Sequence, residues 1–229
     1  MGDLRFRKKV LNSKFNIPTF NFMKKPPKFK LCRRLGGAVF SKCENPRFVA
    51  ATAARSGGGK TSGARKRTVS EYGAALLDKQ RVRYTYNIRE RQLARYVREA
   101  AEKRGVNQAD YLYRVLESRL DNVVFRLGLT KSRAAARQLV SHGHVLLNDK
   151  KVTIPSCAVR PGDRVGVRPG SADSGLFRDV VARLKEYIAP AWLELDGKGR
   201  GGKVVKEPVS DVRTGERMNF TTVLEFYGR

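Results

Sequence analysis

The segment 131–144, KSRAAARQLVSHGH, holds the side chains whose spacing best suits chemistry. Arg133, Arg137 and Ser141 recur at i, i+4 and i+8. On a helix they share one face, while Ala136, Leu139 and Val140 form another. The basic face ends at His142, Gly143 and His144, and a tight hairpin in VLLNDKKVTI then offers Asn148, Lys150 and Lys151. Guanidinium forks match phosphate oxygens, and Ser, Asn and imidazole groups suit sugar hydroxyls. Together these groups suit gripping two phosphate backbones of a folded RNA. A solvated helix face is the plainer reading, and the charge of the whole chain weighs against it.

Other residue patterns point to different chemistry and lack the partners it needs. ARSGGGKT, residues 54–61, approaches a phosphate-cradling loop, but FVAATA is a poor strand and SGARKR has no apolar helical face. His142 and His144 have no carboxylate or cysteine nearby for metal or general-base work. Asp121, before VVF, reads as a helix cap rather than a catalytic acid. Tyr84, Tyr86, Tyr111 and Tyr113 read mostly as core, and Trp192 as packing of the tail against the body.

The elements that position these residues follow from periodicity. Thr68 and Glu71 have capping-box spacing, with Ser70 a rival cap, and a helix is predicted over 70–80. Asn87 and Glu90 form a second cap-like pair before Leu93, Tyr96, Val97 and Ala100, which line one helical face as far as a stop at Gly105. Asp110 opens a third helix that buries Leu112, Val115, Leu116 and Leu120. Asp121 caps a short helix ended by Gly128, and another spans 131–141. The hairpin, an RPGD turn and the strand RVGVR complete an α+β module over 111–170. Ser174 caps a later helix with Phe177, Val180, Val181, Leu184 and Ile188 on one face, ended by Pro190. The tail is expected to pack back on the early helices. The fold class is therefore α+β and mainly helical: a helical body, 68–110 plus 171–229, interrupted by the inserted module and preceded by a basic extended arm, 1–67.

Charge supports the polyanion reading. Across 229 residues, 48 Lys and Arg face 21 Asp and Glu, a formal net charge of +27. A compact protein with that imbalance repels itself unless a polyanion neutralises it. No apolar run is long enough to span a bilayer. Residues 1–70 hold 18 Lys and Arg against Asp3 and Glu44, so this arm is expected to order on a partner. Within it, 55–67 reads as a flexible, glycine-rich basic loop. Cys32, Cys43 and Cys157, odd in number and irregular in spacing, give no disulfide framework and suggest a reducing compartment.

The run RLDNVVFRLGLTKSRAAARQLVSHGHVLLNDKKVTIPSCAVRPGD resembles the RNA-binding module named after small-subunit ribosomal protein S-four. KTSGARKRTVSEYG, LLDKQRVRYTYNIRERQLARYVREA, PAWLELD and VLEFYGR resemble the body and tail of that ribosomal protein, so the likeness covers roughly 29–229. It implies a non-enzymatic constituent of the small ribosomal subunit. Such a protein binds a multi-helix junction in the 5′ domain of the ribosomal RNA early in assembly. It lies near the channel where messenger RNA enters, beside ribosomal proteins S-three and S-five. Carried over by position, Arg119, Ser132, Arg133, Arg137, Gln138, His142, His144, Asn148 and Lys151 would face RNA, and Lys131 and Lys150 complete the candidate set in the module. Arg65, Lys66, Arg67 and Tyr72 would lie by RNA and messenger. A cytoplasmic ribosome is expected, with a mitochondrial or plastid ribosome as the alternative, and no membrane or small-molecule substrate. An RNA-modifying enzyme with the same module is the competing class, but 171–229 shows no acid-rich pocket pattern.

The chain departs from the family in two places. Many members carry a four-cysteine zinc knuckle, C-x2-C then C-x4-C. Here Phe29 and Phe48 stand at two ligand positions, leaving Cys32 and Cys43. Two thiolates do not fill a tetrahedral site, so no zinc is expected, and Phe29 and Phe48 are expected to pack together. Residues 1–28 have no counterpart in the family pattern. Their Lys and Phe content suits threading through RNA, with an organellar targeting segment as the rival.

Overall fold

The computed structural model describes residues 27–36, 39–57, 70–172, 174–175, 177, 180–184, 187–197, 200–209 and 218–228. Within the arm, the described residues 27–36 and 39–57 form regular structure that its composition does not predict. They hold helix α1 (Lys28–Leu35), a 3-10 turn at Ser41–Glu44 and helix α2 (Pro46–Gly57). Contrary to the expected absence of a disulfide framework, Cys32 and Cys43 are paired in a disulfide, and both are buried. Beside it the Phe29 and Phe48 rings pack with centroids 5.1 Å apart, as expected. Arg81 donates to the Leu35 carbonyl and so ties α1 to the body. FVAATA lies within α2, so no strand precedes the glycine run there.

The body begins with α3 (Glu71–Thr85), capped by the rival candidate: Ser70 Oγ accepts from the Gly73 N–H at 3.2 Å. The helix runs past the predicted end at 80. Helix α4 (Glu90–Glu102) buries Leu93, Tyr96, Val97 and Ala100, the four residues predicted. Asn87 is not its cap. It takes a left-handed conformation, φ 51°, in the linking turn, a shape Asn tolerates better than most residues. Helix α5 (Gln108–Glu117) is capped by Asn107, ahead of the predicted Asp110. The last helix, α10 (Phe220–Gly228), packs on α3, α4 and α5, as expected of the tail, and Val223 joins their core.

The module follows directly. Helix α6 (Leu120–Arg126) starts after Arg119, so Asp121 lies in its first turn rather than capping it. Helix α7 (Arg133–Ser141) is capped by Ser132 Oγ, which accepts from the Ala135 N–H at 3.2 Å. Strands β1 (Val145–Leu147) and β2 (Lys150–Lys151) form the hairpin, whose turn residues are Asn148 and Asp149, both at positive φ. Strand β3 (Arg164–Val167) pairs with β1.

The module does not close at residue 170. After a helical turn α8 (Pro169–Ala172) and a short helix α9 (Val180–Leu184) come β4 (Leu193–Leu195) and β5 (Gly201–Val204). All five strands form one antiparallel sheet in the order β2-β1-β3-β5-β4. Glycines permit the close pairing: a Cβ on Gly202 would collide with the Glu194 carbonyl and Leu127. One core joins Leu120, Val124, Leu127, Val140 and Val165 to Phe177, Val180, Trp192, Leu193 and Val204. The body core joins Val82, Leu93, Val97, Leu112 and Leu116 to Val223.

The predicted boundaries therefore shift at both ends. Helix α5, placed in the module by sequence, buries Leu112 and Leu116 in the body. The stretch through β5, placed in the body, completes the module's core and sheet. Trp192 packs inside the module, not between tail and body. Ile188, expected on the buried face of the helix after Ser174, is 91 % exposed, because α9 ends at Leu184.

Candidate nucleic-acid interface

Two buried carboxylates organise the boundary between body and module. Glu117, at the end of α5, is fully buried and accepts from Arg126 Nε and Nη2, both at 2.9 Å, from Asn122 at 2.7 Å and from the Tyr86 hydroxyl at 2.7 Å. Burial alone would raise its pKa. The Arg126 hydrogen bonds and charge, with Arg133 and Tyr86, more than offset that and hold it below the usual carboxylate range. Asp121 accepts from Arg119 at 3.0 and 2.8 Å and from Arg137 at 2.9 and 2.7 Å. Arg119 also donates to the Tyr96 hydroxyl of α4 at 2.8 Å, and Arg137 to the Asn87 carbonyl between α3 and α4. Burial works against the Arg119 charge, but the Asp121 bonds dominate and raise its pKa.

This seam corrects the predicted basic face. Arg119, 3 % exposed and ion-paired to Asp121, is not presented to an outside ligand. The Arg133 guanidinium lies over Tyr86 and Phe125, 5.0 and 4.5 Å from the ring centroids, and donates to Asn122 at 2.7 Å. Arg137 is partly exposed and committed to Asp121. The apolar face of α7 is Ala136, Leu139 and Val140, as predicted, and the solvent face opposite is Ala134, Gln138 and Ser141. The outward face thus lies one residue on from Arg133 and Arg137, whose side chains reach inward to acids on α5 and α6. It is small and polar rather than cationic, so a backbone can approach the helix closely while charge is supplied from the helix ends.

The other predicted residues divide similarly. His142 and Lys151 are exposed around the end of α7, Lys150 on the adjoining hairpin, and Lys131 at the start of the helix. Gly143 brings Lys151 to the helix end: at φ 72° it closes the helix, and a Cβ there would collide with the Lys151 side chain. Lys150, the preceding residue of β2, points to the other face of the hairpin. The His142 and His144 rings lie 6.0 Å apart, and His144 Nδ1 is 2.9 Å from Ser171 Oγ. Asn148 is exposed, but its amide is occupied within the turn. It donates to Asp163 and accepts from the Arg164 N–H, both at 2.8 Å. Ser132 serves as a cap. Tyr72 is exposed in the body, its ring 5.4 Å from that of Phe226. Arg65, Lys66 and Arg67 lie outside the described residues.

Sequence reasoning missed two basic groups. Arg91, Arg95 and Arg98 form an exposed stripe on α4 opposite its buried face. The 3.6-residue period that located Leu93 and Val97 also contains that stripe. Arg164 and Arg168, at the start of β3 and just past its end, are exposed as well. Among the described residues, no helix is long and apolar enough to cross a membrane, and no three His, Cys, Asp or Glu side chains are placed to hold a metal.

A two-helix module with an antiparallel sheet, bearing cations around one helix and its hairpin, defines an S4-domain protein, and residues 118–165 match the S4 domain profile. Residues 23–117 match the profile of the ribosomal protein S4/S9 N-terminal domain. The chain is 40 % identical over 206 residues to small ribosomal subunit protein uS4 of Roseiflexus sp. (strain RS-1), covering 89 % of this chain and 97 % of that protein. It is 38 % identical to uS4 of Aquifex aeolicus (strain VF5) with the same coverage. It is 44 % identical over 164 residues to uS4 of Persephonella marina (strain DSM 14350 / EX-H1), covering 71 % of this chain and 79 % of that protein. The chain belongs to the ribosomal protein S4 family.

Proposed function

We infer that this chain is a structural, non-enzymatic constituent of the small ribosomal subunit and that it binds the subunit's RNA. The observation that carries the reading is the exposed Ala134–Gln138–Ser141 face of α7, rimmed by Lys131, His142 and Lys151, with Lys150 exposed on the adjoining hairpin, on a chain of net charge +27. Family membership supports the same conclusion. On this reading the contact is a multi-helix junction in the 5′ domain, made early in assembly. Proteins S-three and S-five and the incoming messenger lie nearby. A cytoplasmic ribosome is the first reading, an organellar one the alternative.

The test is the affinity of the full chain for 5′-domain RNA as salt is raised. The logarithm of the binding constant falls linearly with the logarithm of salt, and changing Lys150→Gln and Lys151→Gln together lowers that slope by about two. Binding that ignores salt, or a slope in the double variant equal to the parent's, overturns the assignment.

The residues of the arm do not fit a tetrahedral zinc site, with Cys32 joined to Cys43 and Phe29 packed on Phe48. We propose that the aromatic pair and the cysteine link together join loops that zinc joins in other members. The purified full chain is then expected to contain no stoichiometric zinc by elemental analysis. One equivalent of zinc, lost in Cys32→Ser, would refute this.

A further inference from the structure

Exposed cations occur on both sides of the seam. On the body side, Arg95 of the α4 stripe lies over the Tyr96 ring, 5.6 Å from its centroid. The Arg119 guanidinium is 6.0 Å from the same ring. Arg119 pairs with Asp121, Asp121 with Arg137, and Arg137 with the carbonyl of Asn87, three residues before α4 begins. On the module side, Arg137 sits one turn before Ser141 on α7. The helix then ends at His142 and Gly143, against which the Lys151 side chain packs. A continuous chain of contacts therefore runs from the basic stripe of the body to the helix that carries the module's cations. Arg137, which is partly exposed, bonds both units: Asp121 in the module and the Asn87 carbonyl in the body.

We propose that Arg137 is a positioning residue for RNA binding: by bridging Asp121 and the Asn87 carbonyl it holds the Arg91–Arg95–Arg98 stripe and the cationic rim of α7 in one fixed relation, so that a single folded RNA meets both at once. This rests on the RNA-binding reading above and adds a role for the body and for the seam. Two surfaces held rigidly bind as one. Two surfaces that swivel must each find the RNA, which lowers the effective concentration of the second without removing any phosphate contact.

The fork geometry matters. A guanidinium bonds a carboxylate through two nitrogens and still has a third for the carbonyl, and an ammonium presents one point of charge. Lys at 137 keeps the charge and loses the bridge.

The experiment compares the full-length parent, Arg137→Gln, Arg137→Lys and Arg95→Gln for binding to 5′-domain RNA over a salt series, with thermal unfolding of each run in parallel. For Arg137→Gln the expected result is affinity lower by roughly ten-fold with the salt slope kept, and Arg137→Lys gives no rescue. Arg95→Gln lowers the slope by about one. A slope reduced by about one in Arg137→Gln and restored in Arg137→Lys makes Arg137 a direct phosphate contact and overturns the proposal. So does unchanged affinity in both Arg137 variants, which leaves the bridge a stability element only. An Arg95→Gln slope equal to the parent's removes the body surface and with it the two-surface argument. If Arg137→Gln does not fold, Arg137→Lys decides alone: parent-like affinity overturns the proposal, and loss at constant slope supports it. A parent that fails to bind in a salt-dependent way defeats the RNA-binding reading itself, a different result from any of these.

Discussion

Glu117→Gln lowers the unfolding free energy by about 3–5 kcal/mol, the usual cost of removing one partner from a buried ion pair. Glu117 pairs with Arg126, whose side chain is 9 % exposed, and both of its oxygens are used. Gln keeps the shape and one acceptor, but it takes this counter-charge from a buried guanidinium and turns an amide N–H toward donors. A double change, Glu117→Met with Arg126→Met, recovers only the part of the loss due to the unpaired Arg126 charge, since the Asn122 and Tyr86 donors still lose their acceptor. Denaturant unfolding at neutral pH measures both, and a loss under about 1 kcal/mol in Glu117→Gln would contradict this account of the seam.

The same residue sets an acid limit. Its folded-state pKa lies below the unfolded value, and so does that of Glu90. For Glu90, burial pushes upward, but bonds from Lys79 at 2.6 Å, Tyr227 at 2.6 Å and Arg83 at 3.1 Å outweigh it. A carboxylate with a depressed folded pKa contributes stability that is fully present above its unfolded pKa and is lost as pH falls through the folded value. Stability is thus level at neutral pH and falls below about pH 4–5. The Glu117→Gln chain starts lower at pH 7 and has the shallower acid limb.

The helices were legible because their signals are local. The face of Leu93, Tyr96, Val97 and Ala100 in the body and the stop of the module's α7 at Gly143 each follow from a few neighbouring residues, whereas Ser132, read as an RNA contact, is the cap of α7. The phase of the basic face was not. Arg133 and Arg137 flank the apolar stripe of α7, and such edge positions turn outward or inward according to what faces them. The acids that draw them in lie 16 positions before each, at Glu117 and Asp121. Nothing within α7 records those partners. Arg119 differs: its acid, Asp121, is only two residues on, and what buries the pair is the contact with Tyr96 of α4, 23 positions before it. The cysteine link escaped because α1 and the 3-10 turn that bring Cys32 to Cys43 sit in a segment whose composition reads as unfolded. Strands β4 and β5 are three and four residues long, and two adjacent glycines open β5, so neither shows an alternating pattern.

The late strands lead to the other large effect. Trp192→Ala is expected to cost about 3–5 kcal/mol, as for a large aromatic side chain lost from a packed core. The loss falls on the module, because Trp192 packs with Leu127, Val140 and Val165 rather than with the body core. The S4 domain match ends at residue 165, yet Phe177, Val180, Trp192, Leu193 and Val204 complete the same core, and β5 covers the edge of β3 that β1 leaves open. Without them β3 would present unpaired N–H and C=O groups beside exposed Val165 and Leu127, a combination that favours edge-to-edge association over a stable monomer. Hydrogen exchange read by element separates the outcomes. In Trp192→Ala, the amides of β1, β3 and β5 lose protection while those of α3, α4 and α10 keep theirs. Equal loss in both sets would mean the two cores unfold as one unit, with the Glu117 and Asp121 seam strong enough to couple them. Full protection in β3 would show that the module's core closes without the Trp192 ring.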